Sequence, residues 1–219
     1  MIILKYIVCF ITVYSFLACT DISSSQNQAA ETETKVKIVE SFEANQYAIY
    51  DALIADDDLI PYFSRKSNLL SSKSNLLVII ERANIDYLGD SNFRELLANV
   101  PNQLPSLSKA TFDDFLANNK SRVLLKDLFT LPVKRVFISD EELDSFFKRK
   151  LYWEGFYKKY PNSQGVMVLS NVGFDAQKKQ ALVYVSNSRG SLDAVGIYAV
   201  LEKQNDVWRV KEKYEAWVS

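Results

Sequence analysis

The chain contains no histidine. Its absence removes the commonest general base, the usual zinc ligand and every Ser-His or Cys-His nucleophile pair. Carboxylates, Lys, Tyr, Ser and Arg are left to carry any chemistry, and neither a cofactor nor a metal site is expected. Cysteine is almost absent too, with only Cys9 and Cys19. Cys9 lies in the apolar start of the chain, so a product cut after residue 18 could form no internal disulfide and would rely on its core. Long apolar runs are missing: Tyr6 to Leu17 is twelve residues, short of the ~20 that span a bilayer as a helix. Nor is there an excess of either charge. Lys and Arg number 26 against 27 Asp and Glu, a net charge of −1, and losing Lys5 would add one negative unit. That balance argues against nucleic acid or an acidic membrane surface as partner.

The start of the chain reads as an address. Lys5 supplies a short positive region, Tyr6 to Leu17 the apolar region, and Phe16-Leu17-Ala18-Cys19 places a small residue directly before a cysteine. This resembles the lipobox of bacterial lipoproteins, although Phe16 stands where that pattern prefers Leu. The resemblance implies that residues 1–18 are a lipoprotein signal peptide and that Cys19 is the lipid-attachment residue, carrying palmitate-class acyl chains. The alternatives are an ordinary secretory signal or a retained anchor, with Cys19 incidental. Residues 19–35 are rich in Ser, Gln, Asn, Thr and Glu, bury nothing and read as a flexible tether. Residues 36–219 read as one domain, without internal repeat or linker.

Within it the pattern is first helical. Val39, Phe42, Gln46, Tyr50 and Leu53 follow 3–4 spacing, and Asp56-Asp57-Asp58 with Pro61 ends that helix. Leu76 to Ile80 reads as a buried strand after a polar break at Ser71 to Asn75. Asn92-x-x-Glu95 starts a short helix that Pro101 and Pro105 stop, and Thr111-x-x-Asp114 starts another. Val133 to Ile138 is a second strand. Ser139-Asp140-Glu141-Glu142 forms a capping box, with Glu142 reaching back, and the helix it opens is expected to bend near Gly155 and run to Pro161.

From Gly165 to Ser219 four runs rich in Val, Leu, Tyr and Trp alternate with polar breaks, the mark of an antiparallel meander. Asn205-Asp206 is a tight hairpin turn, Asp175 to Lys179 a looser one, and Ser188 to Val195 the long loop. Trp208 and Val210 should face inward, with Arg209, Lys211 and Lys213 outward. The expected class is α+β, with N-terminal helices packed on a C-terminal antiparallel β-meander of about four strands.

Several of these residues carry a resemblance. Phe156-Tyr157-Lys158-Lys159-Tyr160-Pro161, Gly165, Leu169-Ser170-Asn171-Val172-Gly173-Phe174, Gln180 to Val185, Leu201-Glu202-Lys203, Trp208 and Trp217-Val218-Ser219 resemble an uncharacterised family of exported bacterial (lipo)proteins. The resemblance is dense over residues 139–219 and thin before them. It implies an exported bacterial origin and no particular activity. It also implies a Gly-rich loop at Ser188 to Val195, where this chain carries Arg189, Ser191 and Asp193 instead.

Candidate sites follow from exposure and chemistry. Asp56-Asp57-Asp58 could hold Ca²⁺, but adjacent side chains diverge and a solvated helix end accounts for them better. Glu141 and Glu142 could serve as a general acid/base pair with a distant Asp, but helix capping already explains both. Phe146, Phe147, Trp153, Phe156, Tyr157 and Tyr160 could line a groove, though their spacing fits core. Lys148-Arg149-Lys150 reads as a wet helix face. The Arg189, Ser191 and Asp193 loop is the candidate recognition surface. The expected function is a lipid-anchored, non-enzymatic binding or interaction module of the bacterial cell envelope, facing the periplasm or the cell exterior. Its partners would be the membrane, through the anchor, and another envelope protein, with oligomeric state left open. The alternative is a metal-independent hydrolase using two carboxylates about 5–10 Å apart, one with a raised pKa.

Overall fold

The apolar run Leu76–Ile80 forms β1, a strand with parallel neighbours on both sides: β4 (Lys134–Ile138) and β5 (Ser163–Leu169). Leu77 to Ile80 are all buried although successive side chains point to opposite faces, so both faces are covered, which explains why the sequence runs LLVII without alternation. The computed structural model describes residues 43–63, 75–83, 85, 91–149 and 151–219. The signal segment, Cys19, the tether, Val39, Phe42, the Ser71 to Ser74 break and Lys150 lie outside the described residues. Ala44–Ser219 form one unit by their contacts. Among the described residues no helix is long and apolar enough to cross a membrane.

The sheet corrects the expected fold. It has seven strands and is mixed, in the order β4-β1-β5-β7-β8-β9, with β6 (Gly173–Phe174) also on β7. β7 (Gln180–Gly190), β8 (Asp193–Gln204) and β9 (Val207–Val218) do pair antiparallel in sequence, and β5 pairs antiparallel with β7. A meander of about four strands is therefore not the whole sheet, because β1 and β4 extend it on the free side of β5. The chain leaves β4 through two helices, α5 (Asp140–Lys148) and α6 (Tyr152–Lys159), and returns beside β1 as β5. This crossover is absent from a helices-first, sheet-second reading. β2 (Arg82–Ala83) and β3 (Val123–Leu124) form a separate two-stranded pair.

Helices cover the sheet in groups. Residues 43–54 form α1, which buries Tyr47, Tyr50, Leu53 and Ile54. Gln46 donates to the Tyr50 hydroxyl, which donates to the Ser170 carbonyl at 2.7 Å. Asp56 Oδ1 then accepts from the Asp58 amide in the turn before α2 (Ile60–Phe63). α3 (Ser91–Gln103) passes through Pro101 rather than stopping at it. So near the helix end, Pro removes one hydrogen bond only. Helix α4 (Lys109–Asn118) is capped by Ser108, whose side chain accepts from the Thr111 amide, so it begins before the expected Thr111. Val100, Leu104 and Phe115 pack with Leu182, Tyr184, Tyr198 and Val200 in one core cluster. Leu143, Phe146, Phe156 and Tyr160 pack with Val78, Ile80, Val166 and Val168 in another.

α5 ends at Lys148 and α6 opens at Tyr152, so two helices stand where one helix bent near Gly155 was expected. The Leu151 amide reaches the Phe146 carbonyl, and Tyr152 takes φ 46°. Ser139 caps α5 as expected, accepting from the Glu142 amide at 3.1 Å. Glu142 does not reach back, however, because its carboxylate is held by Lys159 and Tyr160. The Asn205-Asp206 turn has φ 48° and 63°, the paired positive values of a type I′ hairpin.

Candidate functional site

The stretch expected to be a long loop is a tight hairpin. β7 and β8 stay paired to Gly190 opposite Asp193, leaving only Ser191 and Leu192 in the turn. Its polar composition reflects an exposed hairpin end, and the backbone ladder continues regardless of it. Arg189 is correspondingly not a loose tip. Its Nε and Nη2 donate to Asp193 Oδ1 at 3.0 and 2.7 Å, and Nη1 donates to the Pro61 carbonyl at 3.1 Å. Ser191 is exposed at the turn. Of the three expected recognition residues, two are bound to each other and the third stands apart.

Behind this pair lies a cleft of about 180 Å³ lined by Tyr157, Ser163, Gln164 and Arg189. Four local features build it. α6 presents Tyr157, whose hydroxyl donates to the Arg189 carbonyl at 2.8 Å. Asn162 turns the chain at φ 64° into β5, which starts at Ser163. Asn187 donates to the Gln164 carbonyl and to Tyr62, fixing β5 against β7. Gly165 takes φ 98°, and a Cβ there would sit 2.4 Å from the Ser188 carbonyl and 2.7 Å from Arg189 Cγ. Only glycine admits that backbone and that approach.

The site's chemistry is that of hydrogen bonding. Ser163 is 8% exposed, and its Oγ is buried with no hydrogen-bond partner. Such a group costs about 1–3 kcal/mol unless something satisfies it. A guanidinium has five N–H donors. The Asp193 and Pro61 bonds engage three, leaving one on each terminal nitrogen of Arg189. Among the described residues, none lining the cleft is a carboxylate or another base for Ser163. Sequence reasoning named Tyr157 only as an aromatic and missed Ser163 and Gln164. The available signal was Asn162-Ser163-Gln164-Gly165, a polar run ending in glycine at a strand start.

The remaining candidates are placed as follows. The Glu141 carboxyl is held below the usual range by its own backbone N–H and then by Ser139. Lys159 and then Tyr160 lower Glu142, while burial and then Glu142 raise the Tyr160 phenol. Neither glutamate is held protonated as an acid catalyst. Burial raises Asp56, which is occupied by the Asp58 amide. Among the described residues no three His, Cys, Asp or Glu side chains group to hold a metal. Phe146, Phe156 and Tyr160 are core, Trp153 and Tyr157 are half-buried, and Phe147 is exposed. Lys148 pairs with Asp144, and Arg149 is exposed.

The segment Leu169 to Phe174, part of the family-like pattern, is scaffold. Ser170 Oγ accepts from the Tyr184 amide, and Asn171 bonds the end of α4. No protein-family model, curated protein or solved structure matches the chain.

Proposed function

We propose that this chain is a lipid-anchored extracytoplasmic binding module of the bacterial envelope, with Cys19 as the acylated residue and the β7–β8 hairpin as its recognition end. The observation that carries the binding reading is the cleft that Ser163 and Arg189 both line: the Ser163 hydroxyl is buried without a partner, and Arg189 keeps one N–H on each terminal nitrogen beyond its bonds to Asp193 and Pro61. Binding would satisfy these groups, and among the described lining residues none is a base that could activate Ser163. The anchoring reading is supported by the apolar segment ending in Ala18-Cys19 and by the polar tether after it. Two or more acyl chains give stable attachment where one does not, and a tether raises the effective concentration of a domain near surface partners.

Two measurements test it. Metabolic labelling with a lipid analogue should mark the wild-type chain and spare Cys19→Ala, and equal labelling would remove the anchor. Crosslinking in whole cells should give a saturable product that Arg189→Ala weakens. Turnover of a glycan, ester or peptide substrate, lost on a single Asp or Glu substitution, would overturn the binding reading.

A further inference from the structure

The geometry points to a neutral polyhydroxylated ring, one sugar unit of a glycan, as the ligand of the Tyr157–Ser163–Gln164–Arg189 cleft. This rests on the reading of the cleft as a binding site and gives that site its ligand class.

Charge decides first. Among the described residues Arg189 is the only charged one lining the cleft, and Asp193 Oδ1 already takes two of its donors. An anion entering the cleft would therefore meet a compensated guanidinium and the Asp193 carboxylate beside it. A neutral ligand meets no such opposition. Polarity decides next. An apolar occupant would leave the already buried Ser163 hydroxyl unpartnered and cut the remaining Arg189 donors off from water as well, at the penalty of buried unsatisfied groups. A ring bearing adjacent hydroxyls supplies two acceptor oxygens to the two remaining Arg189 N–H groups. The guanidinium presents donors in a fixed planar fork, so neighbouring oxygens suit it better than isolated ones. A further hydroxyl can both donate to and accept from Ser163.

Size and surface agree. The cleft, at about 180 Å³, lies below the ~300–1,000 Å³ of pockets for whole drug-sized ligands. It suits one ring of a longer chain whose remainder stays outside. Tyr157 adds an aromatic wall for the C–H face of such a ring, and its hydroxyl is fixed by the Arg189 carbonyl at 2.8 Å. Gly165 holds β5 close enough to β7 for Ser163 and Arg189 to share the cleft.

The test uses the full, isotopically labelled chain in micelles of a detergent without a sugar headgroup. D-glucose, N-acetyl-D-glucosamine, acetate and inorganic phosphate are titrated separately while backbone amides are followed by NMR. At least one sugar should shift the Ser163, Gln164, Gly165 and Arg189 amides saturably, and neither anion should. Ser163→Ala should weaken that binding by roughly two- to tenfold, the worth of one neutral hydrogen bond, without lowering the urea midpoint. Arg189→Lys, which keeps the charge facing Asp193 but removes the fork, should weaken it further. Saturable binding of an anion alone would overturn the ligand class and leave the binding reading standing. Cleft amides unmoved by all four probes, or full affinity in both variants, would overturn the assignment of sugar to this cleft, while the cellular crosslink separately decides whether the hairpin end binds at all.

Discussion

Asn119 and Asn171 clasp each other as two strands would. The Asn119 side-chain amide donates to the Asn171 carbonyl and its oxygen accepts from the Asn171 amide, both at 2.9 Å. Asn171 returns the contact by donating to the carbonyls of Asn118 and Ser121. The end of α4 is thereby joined to the link between β5 and β6, where the backbone has left the sheet ladder.

Asn119→Ala should therefore be expensive for a polar substitution. It leaves a buried N–H and a buried C=O without partners, a loss of about 2–4 kcal/mol. Urea unfolding measures it, and a loss within about 0.5 kcal/mol, as for an ordinary surface site, would show that water replaces the clasp.

Trp208 is buried, with its ring 6.0 Å from Phe174 and the Lys203 ammonium 5.8 Å from its centroid. Removing it leaves a cavity, so Trp208→Ala should cost about 3–5 kcal/mol. Trp208→Phe should recover part of this, since the indole Nε1 has no partner to lose. A loss under about 1 kcal/mol for the alanine variant would place the indole outside the stabilising core.

Gly165→Ala combines strain at φ 98° with a Cβ too near Ser188. The backbone penalty alone is of order 1–3 kcal/mol, and separating β5 from β7 adds to it. Hydrogen exchange at Met167, Ser188 and Arg189 should quicken together with the fall in urea midpoint. Unchanged exchange would mean that the strands absorb the methyl in place.

Glu142 gives a pH signature. The Lys159 ammonium, and then the Tyr160 hydroxyl, lower its carboxyl. A carboxyl lowered on folding stabilises fully above its unfolded value, ~4.3, and the contribution fades as pH falls through the lower folded value. Glu142→Gln should thus be less stable than wild type at neutral pH, with the gap in urea midpoint closing as the solution is acidified below that range. Tyr160, raised by burial and then by Glu142, keeps its contribution below its unfolded value of ~10 and loses it at higher pH. A gap independent of pH on the acid side would show that the carboxylate charge is not what holds the trio.

The sequence showed most where the signal was local. Ser139 before α5, Asn205-Asp206 between β8 and β9, and the alternation of β7 through β9 are all decided by near neighbours. What it concealed depends on residues far apart. Nothing in Leu76 to Ile80 says that it lies between Lys134–Ile138 and Ser163–Leu169, because parallel partners leave no mark on a short apolar run. Glu142 met Lys159 and Tyr160 across the α5–α6 break and abandoned the back-reach that its spacing from Ser139 suggested. Ser188 to Val195 read as a loop because its residues are polar, yet its hydrogen bonds are those of strands. The candidate cleft was least legible of all, since its residues come from α6, the β5 start and the β7 end, and three of its four are common polar or aromatic types.

The place of β1, between two parallel partners at one end of the sheet, also bears on how the chain reaches this state. A chain made from its N-terminus presents Leu76–Ile80 long before β4, and longer still before β5, exists to flank it. Both partners are distant and parallel, so neither can be recruited by a short turn, and closure waits on long-range encounters. Until then the most apolar strand of the sheet has two open edges, the condition under which incomplete chains adhere to one another. The C-terminal hairpins can form early by comparison, each with its partner next in line. Assembly should accordingly finish, and not begin, at the parallel end of the sheet where β1 lies.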